Sequence, residues 1–107
     1  MDYEKITNNI VRSAFIAWNN RDRTSFLNLI SEDTEFVHNG KAEDIVTFSD
    51  YFFFGPAKAV FTGIHRSENK GQTIYASLES EIIGSAEVLM RFEIVNRVIS
   101  KLDAGKP

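Results

Sequence analysis

The sequence predicts an α+β domain in which N-terminal helices pack on a curved antiparallel β-sheet. Apolar residues recur at helical spacing as far as about residue 53, and at strand spacing from residue 59 onward. Helices that precede a run of strands are typical of α+β domains, so the order of the two halves indicates the fold class. The length of 107 residues fits a single domain covering residues 1–107.

Three helices are predicted in the first half of the chain. Apolar residues recur every three or four positions over residues 3–20, which predicts the first helix. Asp22 stands where an N-cap residue is expected, before a short second helix. Asp44 is placed in the same way before a third helix. That helix should end near Phe53, because the Gly55-Pro56 pair that follows continues a helix poorly.

Strands are predicted on either side of the third helix. The segment from Thr34 to His38 is short and rich in strand-forming residues, and Asn39-Gly40 after it is a strong turn signal. Asn96-Arg97 suits a two-residue hairpin turn near the end of the chain. Four further segments alternate or run apolar at strand length, over residues 59–64, 73–82, 86–95 and 98–102.

The strand over residues 86–95 predicts how the sheet is covered. Its alternate residues Ala86, Val88, Met90, Phe92 and Ile94 are apolar and should meet the helices. Its other face is polar except for Leu89, which Val60, Tyr75 and Ile99 are expected to join on the outer surface. An apolar cluster on an exposed sheet usually marks a partner surface, so we expect a homodimer through the outer sheet face.

Composition excludes several classes of function. The absence of cysteine removes disulfides, thiolate nucleophiles and zinc–thiolate sites. The net charge of −3 comes without any basic stripe, which argues against a nucleic-acid partner. The polar N-terminus is unlike a signal peptide and no apolar run approaches ~20 residues, so a cytoplasmic location without membrane contact is expected. Neither His38 nor His65 has acidic residues at ligand spacing, so no metal or cofactor is expected, and His65 is assigned to a surface loop.

Two segments carry a resemblance to a known family. The stretch AFIAWNNRDRTSFLNLISEDTEFVHNG, residues 14–40, resembles the opening of ketosteroid isomerase-like and SnoaL-like members of the nuclear transport factor 2-like superfamily. The later MRFEIVNRVISKL, residues 90–102, is similar to the final hairpin of those proteins. The resemblance implies a cystatin-like cone with a ligand pocket, and it places His38 at the pocket-facing end of the first strand.

The resemblance does not carry over the chemistry of ketosteroid isomerase. The position that matches its catalytic aspartate is His38, while Ala14 and Met90 stand in place of its two oxyanion donors. Such donors contribute roughly 3–4 kcal/mol each in the transition state, so chemistry of that type is not expected here. SnoaL-like cyclases and dehydratases use His and Asp at variable positions, and the resemblance leaves that activity open.

His38 is the candidate catalytic residue. An imidazole at the edge of a pocket can act as a general acid or base near neutral pH. The alternative is a structural histidine at a strand end, paired with backbone or solvent. No carboxylate close in sequence is expected on the same side of the strand to orient the ring.

Six large side chains are the candidate contacts of an apolar ligand, namely Trp18, Phe36, Tyr51, Phe54, Met90 and Phe92. The alternative is that they fill the core, which is the commoner fate of large aromatic residues. The consecutive aromatics at positions 51–54 point all round a helix, so at least one of them should meet a partner, a pocket lid or solvent.

Three functions are consistent with the sequence. The first is a homodimeric small-ligand-binding domain that holds a small hydrophobic ligand in an apolar pocket. The alternative is a SnoaL-like or ketosteroid isomerase-like enzyme that uses His38 as acid and base. The second alternative is a protein-interaction module, in which the aromatic cluster at positions 51–54 and the outer sheet face bind another chain.

Overall fold

A computed structural model describes residues 1–107 and confirms the predicted α+β class. Short 3-10 turns cover Tyr3–Lys5 and Asn69–Gly71. None of the helices is long and apolar enough to cross a membrane. The elements in chain order are α1 (Asn9–Asn19), α2 (Arg23–Leu27), β1 (Glu35–His38), β2 (Lys41–Glu43), α3 (Ile45–Phe52), β3 (Val60–Glu68), β4 (Thr73–Ser80), β5 (Gly84–Val95) and β6 (Val98–Gly105).

The helix starts follow from side-chain caps. Asp22 accepts a hydrogen bond from the backbone N–H of Ser25, and Asp44 accepts one from the backbone N–H of Thr47, so both predicted N-caps are confirmed. The predicted first helix over 3–20 is wrong at its start, since α1 begins only at Asn9. The Asn8 side chain accepts from two backbone N–H groups of the first turn and thereby caps the helix there.

The six strands form one mixed sheet in the order β2-β1-β6-β5-β4-β3. All neighbouring pairs are antiparallel except β1 and β6, which run parallel with His38 opposite Ala104. The carboxyl ends of these two strands therefore meet at one edge of the sheet. The sequence had not indicated β2, whose Lys-Ala-Glu residues lack strand periodicity. It forms because the Asn39-Gly40 turn, with both φ angles positive, returns the chain along β1.

The core lies between the helices and the inner face of the sheet, and its centre is aromatic. Trp18 is fully buried and stacks between Phe26 and Phe53, each ring centroid 5.0 Å away. Its indole N–H donates to the buried hydroxyl of Ser49 at 3.1 Å, so the one polar atom of this large ring is satisfied.

The face prediction for β5 is largely confirmed. Met90 and Phe92 are buried in the core, and the alternate residues Ala86, Val88 and Ile94 are half-buried on the same side. The expected outer-face position of Ile99 is wrong. A register shift after Glu93 pairs Ile99 with Ile94, and Ile99 is fully buried in the core.

Two other side chains depart from expectation on the outer face. Leu89 does face away from the helices, yet it is buried, with 7% of its surface exposed. His65 lies within β3 and not in a surface loop, because β3 continues to Glu68. Val60 and Tyr75 are half-buried, so the outer face exposes less apolar surface than the sequence indicated.

Candidate functional site

A cavity of about 380 Å³ lies between α3 and the inner face of β4, β5 and β6. Its polar or small lining residues are His38, Asn39, Glu87, Gly105 and Lys106. The other ten lining residues are apolar: Phe48, Phe52, Phe53, Ala59, Leu78, Ile83, Ala86, Val88, Met90 and Ala104. A volume above ~300 Å³ with mostly apolar walls is typical of small-molecule sites.

His38 stands at the polar end of this cavity, where β1 ends. Its Nδ1 lies 3.0 Å from Oε2 of Glu43, and its Nε2 lies 3.3 Å from the side-chain nitrogen of Asn39. The rings of Phe48 and Phe52 approach the imidazole edge-on, with centroids 5.0 and 6.0 Å away. The side chain is 25% exposed, so the ring is held in place by its neighbours while still reached by solvent.

The pairing with Glu43 sets the chemistry of the imidazole. A carboxylate can only accept a hydrogen bond, so in the neutral ring the proton resides on Nδ1, and Nε2 carries the lone pair that faces the side-chain nitrogen of Asn39. Nε2 is then able to take a proton from a group bound in the cavity. His38 and Glu43 together have the geometry of a base and its orienting carboxylate.

The sequence-based expectation that His38 lacks an orienting carboxylate is wrong. In the β1–β2 hairpin, Phe36 is opposite Glu43 and His38 is opposite Lys41, so all four side chains share one face. Glu43 then reaches His38 diagonally across the two strands. The Asn39-Gly40 turn was the signal that could have revealed this contact, because a tight hairpin returns the following residues to the same face.

The structure brings His38 and Met90 together at the cavity, but it does not place the other five predicted ligand contacts there. Trp18, Phe36 and Phe92 are buried in the core with at most 2% of their surface exposed. Tyr51 is 43% exposed. Phe54 is half-buried and packs on Phe26, with ring centroids 5.9 Å apart.

The aromatic run at positions 51–54 divides as expected, since one ring, that of Tyr51, faces solvent. Phe52 and Phe53 line the cavity instead. Phe48 precedes Phe52 by four residues, and its ring lies 4.7 Å from that of Phe52. This i, i+4 spacing on α3 was the sequence signal for the aromatic wall of the cavity.

No hydrogen-bond donor occupies the positions that matched the isomerase oxyanion donors. Ala14 is fully buried in the core, and Met90 presents a thioether to the cavity. The donors that the structure does place beside His38 and along this end of the cavity are the amide of Asn39 and the ammonium of Lys106. Sequence reasoning had singled out neither residue.

A second polar cluster lies on the outer face of the sheet. The hydroxyl of Ser77 donates to the carboxylate of Glu87 at 2.7 Å, and Nε2 of His65 lies 3.1 Å from the same carboxylate. Both His65 and Glu87 are more than half exposed. Glu87 also borders the cavity, but these contacts turn its carboxylate toward the outer face. No group of three or more His, Asp or Glu side chains is placed to hold a metal ion.

The fold has many counterparts among solved structures. A protein from Kribbella flavida assigned as a ketosteroid isomerase superimposes with a TM-score of 0.73 at 18% identity, covering 99% of this chain and 80% of that one. A protein from Sinorhizobium meliloti assigned as a polyketide cyclase gives 0.73 at 17% identity, covering 91% and 94%. An uncharacterized cystatin-fold protein from Novosphingobium aromaticivorans gives 0.69 at 8% identity, covering 89% and 93%.

The resemblance to nuclear transport factor 2-like proteins is therefore confirmed for the fold, and the chain has their cystatin-like α+β cone. No family model matches the sequence. No curated protein matches it either. Its function has to be argued from its own residues.

Proposed function

We propose that this chain is a small-ligand-binding domain that holds a largely apolar ligand in the cavity beneath α3. The observation that carries the proposal is the cavity itself: about 380 Å³, walled by ten apolar residues, with its usable polar groups gathered at one end. A site that buries an apolar body and orients it by a few polar groups is the common design of small-molecule pockets. The small hydrophobic ligand expected from the sequence fits this description.

The test is binding of a neutral apolar dye such as Nile red, followed by its fluorescence. Ala86 lines the cavity and is half-buried, so Ala86→Phe should fill the space and abolish binding. Ala42→Phe is the matched control, because Ala42 is exposed on β2 and lies outside the cavity. Equal dye binding by the wild type and both variants would contradict the proposal, as would a wild type that binds no dye.

A second candidate function is an enzyme that uses His38 as acid and base. The specific observation in its favour is the 3.0 Å contact between His38 and Glu43 at the wall of an apolar cavity. A base of this kind would break a C–H bond beside a carbonyl, taking the proton on Nε2 while the electron pair moves into the enolate. The Asn39 amide is the donor nearest to His38 that could stabilise the enolate oxygen.

Deuterium exchange into 2-tetralone, followed by NMR in D₂O, measures that activity without knowledge of the natural substrate. The wild type should exchange the C–H groups next to the ketone faster than His38→Gln, by about 100-fold. His65→Gln is the matched control, since His65 lies on the outer face of the sheet. Identical rates for the wild type and His38→Gln would rule out this catalytic role.

The proposal includes a homodimer through the outer sheet face. Tyr75 and Val60 are half-buried there, and Arg66 covers the Tyr75 ring, its guanidinium carbon 4.1 Å from the ring centroid. A dimer of standard size would bury roughly 800 Å² of each partner. Light scattering at micromolar concentration should return twice the mass of 12.2 kDa, and a monomer would contradict this part of the proposal.

The interaction-module alternative has less support. Of the aromatic residues at positions 51–54, only Tyr51 is exposed, and two of the others belong to the cavity wall. The single exposed ring is a small surface for a stable partner. The cytoplasmic location expected from the sequence stays a prediction.

A further inference from the structure

The geometry of the cavity points to the chemical class of its ligand: we infer that the chain binds an organic acid, with an apolar, flat body against α3 and an acidic oxygen beside His38, Asn39 and Lys106. This inference rests on the proposed ligand-binding function. It goes further because it identifies the polar end of the ligand as an acidic group and makes Lys106 a specificity-determining residue.

The three polar residues lie at one end of the sheet because β1 and β6 run parallel. His38 pairs with Ala104, and the backbone N–H of Asn39 donates to the Ala104 carbonyl at 2.9 Å. The residues that follow each strand, Asn39 on one and Lys106 on the other, therefore emerge at the same edge of the sheet. The remaining walls, from α3, β4 and β5, are apolar apart from Glu87, so a ligand that fills the cavity is amphipathic, with one polar end.

The polar end presents donors. Lys106 is exposed and forms no salt bridge with any carboxylate of the chain. A β-carbon added to Gly105 would lie 3.3 Å from Oδ1 of Asn39, so the amide oxygen faces Gly105, and Nδ2 is the atom that approaches His38. A lysine ammonium has three donors and no acceptor, and an amide nitrogen only donates.

The carboxylate that contacts His38 and the one that lines the cavity both accept hydrogen bonds within the chain. Glu43 accepts from Nδ1 of His38, and Glu87 accepts from Ser77 and His65 on the outer face. An anionic oxygen entering the cavity therefore meets a cation and an amide donor, while the charge of Glu43 lies on the Nδ1 side of the imidazole and that of Glu87 points to the outer face. A neutral ketone or ester could use the amide, but it would leave the charge of Lys106 unmatched.

His38 completes the recognition of an acid. If the ligand enters as a neutral acid, its O–H bond breaks, the proton forms an N–H bond at Nε2, and the electron pair stays on the ligand oxygen. If it enters as the anion, Nε2 takes its proton from a hydronium ion of the solvent, which leaves as water. In both cases the imidazolium donates from both nitrogens, one hydrogen bond to Glu43 and one to the ligand. The protonated Nε2 no longer accepts from Asn39, so the amide nitrogen beside it is free to donate to the ligand oxygen as well.

The apolar wall indicates a flat body. The ring centroids of Phe48 and Phe52 lie 4.7 Å apart with the planes tilted by 43°, and Phe53 continues the wall from the end of α3. Offset and edge-to-face contacts with these rings favour an aromatic or conjugated ligand over a bulky aliphatic one. The inferred class is thus an aromatic or conjugated acid.

The experiment compares 2-naphthoate with 2-naphthamide, two probes of the same shape that differ in charge, by isothermal titration calorimetry. The wild type should bind the acid about tenfold more tightly, as expected for hydrogen bonds to a charged group. Lys106→Gln should reduce this preference to about twofold or less while leaving the amide affinity unchanged. Lys70→Gln is the matched control, because it removes the same charge from the turn between β3 and β4 and should keep the preference.

The possible failures separate the two proposals. Equal affinity for the acid and the amide in the wild type would overturn the inference about acids while leaving the apolar cavity as a binding site. A preference that survives Lys106→Gln, or that Lys70→Gln also removes, would overturn the assignment to Lys106. If neither naphthalene probe nor Nile red binds the wild type, the proposed function itself fails.

Discussion

The two ends of the interior contain the same residue types, but one end is filled and the other holds a cavity. At the end formed by α1 and α2, Trp18 is enclosed by Phe26, Phe53 and other rings, and none of its surface is exposed. At the end formed by α3 and β1, the rings of Phe48 and Phe52 line a cavity of about 380 Å³ beside a partly exposed histidine. Aromatic content by itself therefore does not determine whether an interior is filled.

The difference lies in how the covering helices meet the sheet. The longer helix α1, of eleven residues, lays five buried side chains along the inner face. The eight-residue helix α3 buries three, and the chain then turns away at Gly55. Where a helix is short and its neighbouring strands carry small residues such as Ala86 and Ala104, space is left over. The filled end stabilises the fold and the open end is available for binding.

The largest expected effect is at the filled end. Trp18→Ala should lower the free energy of unfolding by about 3–5 kcal/mol, because it removes the central ring and leaves the Ser49 hydroxyl without its partner. Phe52→Ala at the open end should cost less than about 2 kcal/mol, since that ring is only half-buried. Urea denaturation of both variants measures the difference. Equal losses would mean that the two ends are equally packed.

Substitution of Ser80 tests whether the loop beside the open end is held rigidly. Its buried hydroxyl donates to the Ala57 carbonyl at 2.6 Å and accepts from the backbone N–H groups of Ile82 and Ile83. Ser80→Ala should cost about 1–3 kcal/mol and speed hydrogen exchange at Ile83, which lines the cavity. Ser100→Ala is the control, because its hydroxyl makes a single bond in an exposed setting. Unchanged exchange at Ile83 in Ser80→Ala would show that the loop is held by other contacts.

The cap of α3 should make the open end sensitive to acid. Hydrogen bonds from the backbone N–H and side chain of Thr47 hold the pKa of Asp44 below its ordinary value of 3.8. A carboxylate whose pKa is depressed on folding stabilises the folded state above its unfolded pKa, and that contribution is lost as pH falls through the folded value. Asp44→Ala should therefore be less stable than wild type by about 1 kcal/mol near neutral pH.

The difference in the free energy of unfolding between wild type and Asp44→Ala should disappear as pH falls below 3.8. Urea denaturation of both proteins from about pH 6 to about pH 2 follows it. Asp22 caps α2 at the filled end, and its pKa is likewise lowered, by hydrogen bonds from the side chain and backbone of Ser25. Asp22→Ala is the comparison, and a gap that stays constant with pH in either variant would contradict the role of the ionised cap.

The elements of the fold could be predicted from local patterns, whereas the site depended on contacts between distant segments. The caps at Asp22 and Asp44 and the turn at Asn96-Arg97 each follow from residues adjacent in sequence. The parallel pairing of β1 with β6 joins residues more than sixty positions apart, and it is this pairing that brings Lys106 to the end of the cavity. The role of Glu43 required the short strand β2, which has no periodicity of its own.

Residue spacing could not identify which apolar residues line the pocket. A large apolar residue has the same pattern whether it faces a core or a cavity, so Trp18 and Phe92 could not be separated from Met90 by spacing. Whether an apolar side chain faces the core or a cavity depends on how large the side chains opposite it are. Here the opposite wall includes small residues such as Ala104. Small residues on the inner face of a sheet are the signal to look for in such chains.

The smallest expected effect on stability is at His38, at the open end of the interior. His38→Ala should change the free energy of unfolding by less than about 1 kcal/mol, because the pair with Glu43 is partly exposed and such pairs contribute little. The same variant should lose most of the preference for 2-naphthoate over 2-naphthamide, since the donor at Nε2 is gone. Glu43→Gln should show the same pattern more weakly, because an amide can still orient the ring. If His38→Ala instead lowered stability as much as Trp18→Ala, the histidine would be part of the packed interior and the open end would have no separate function.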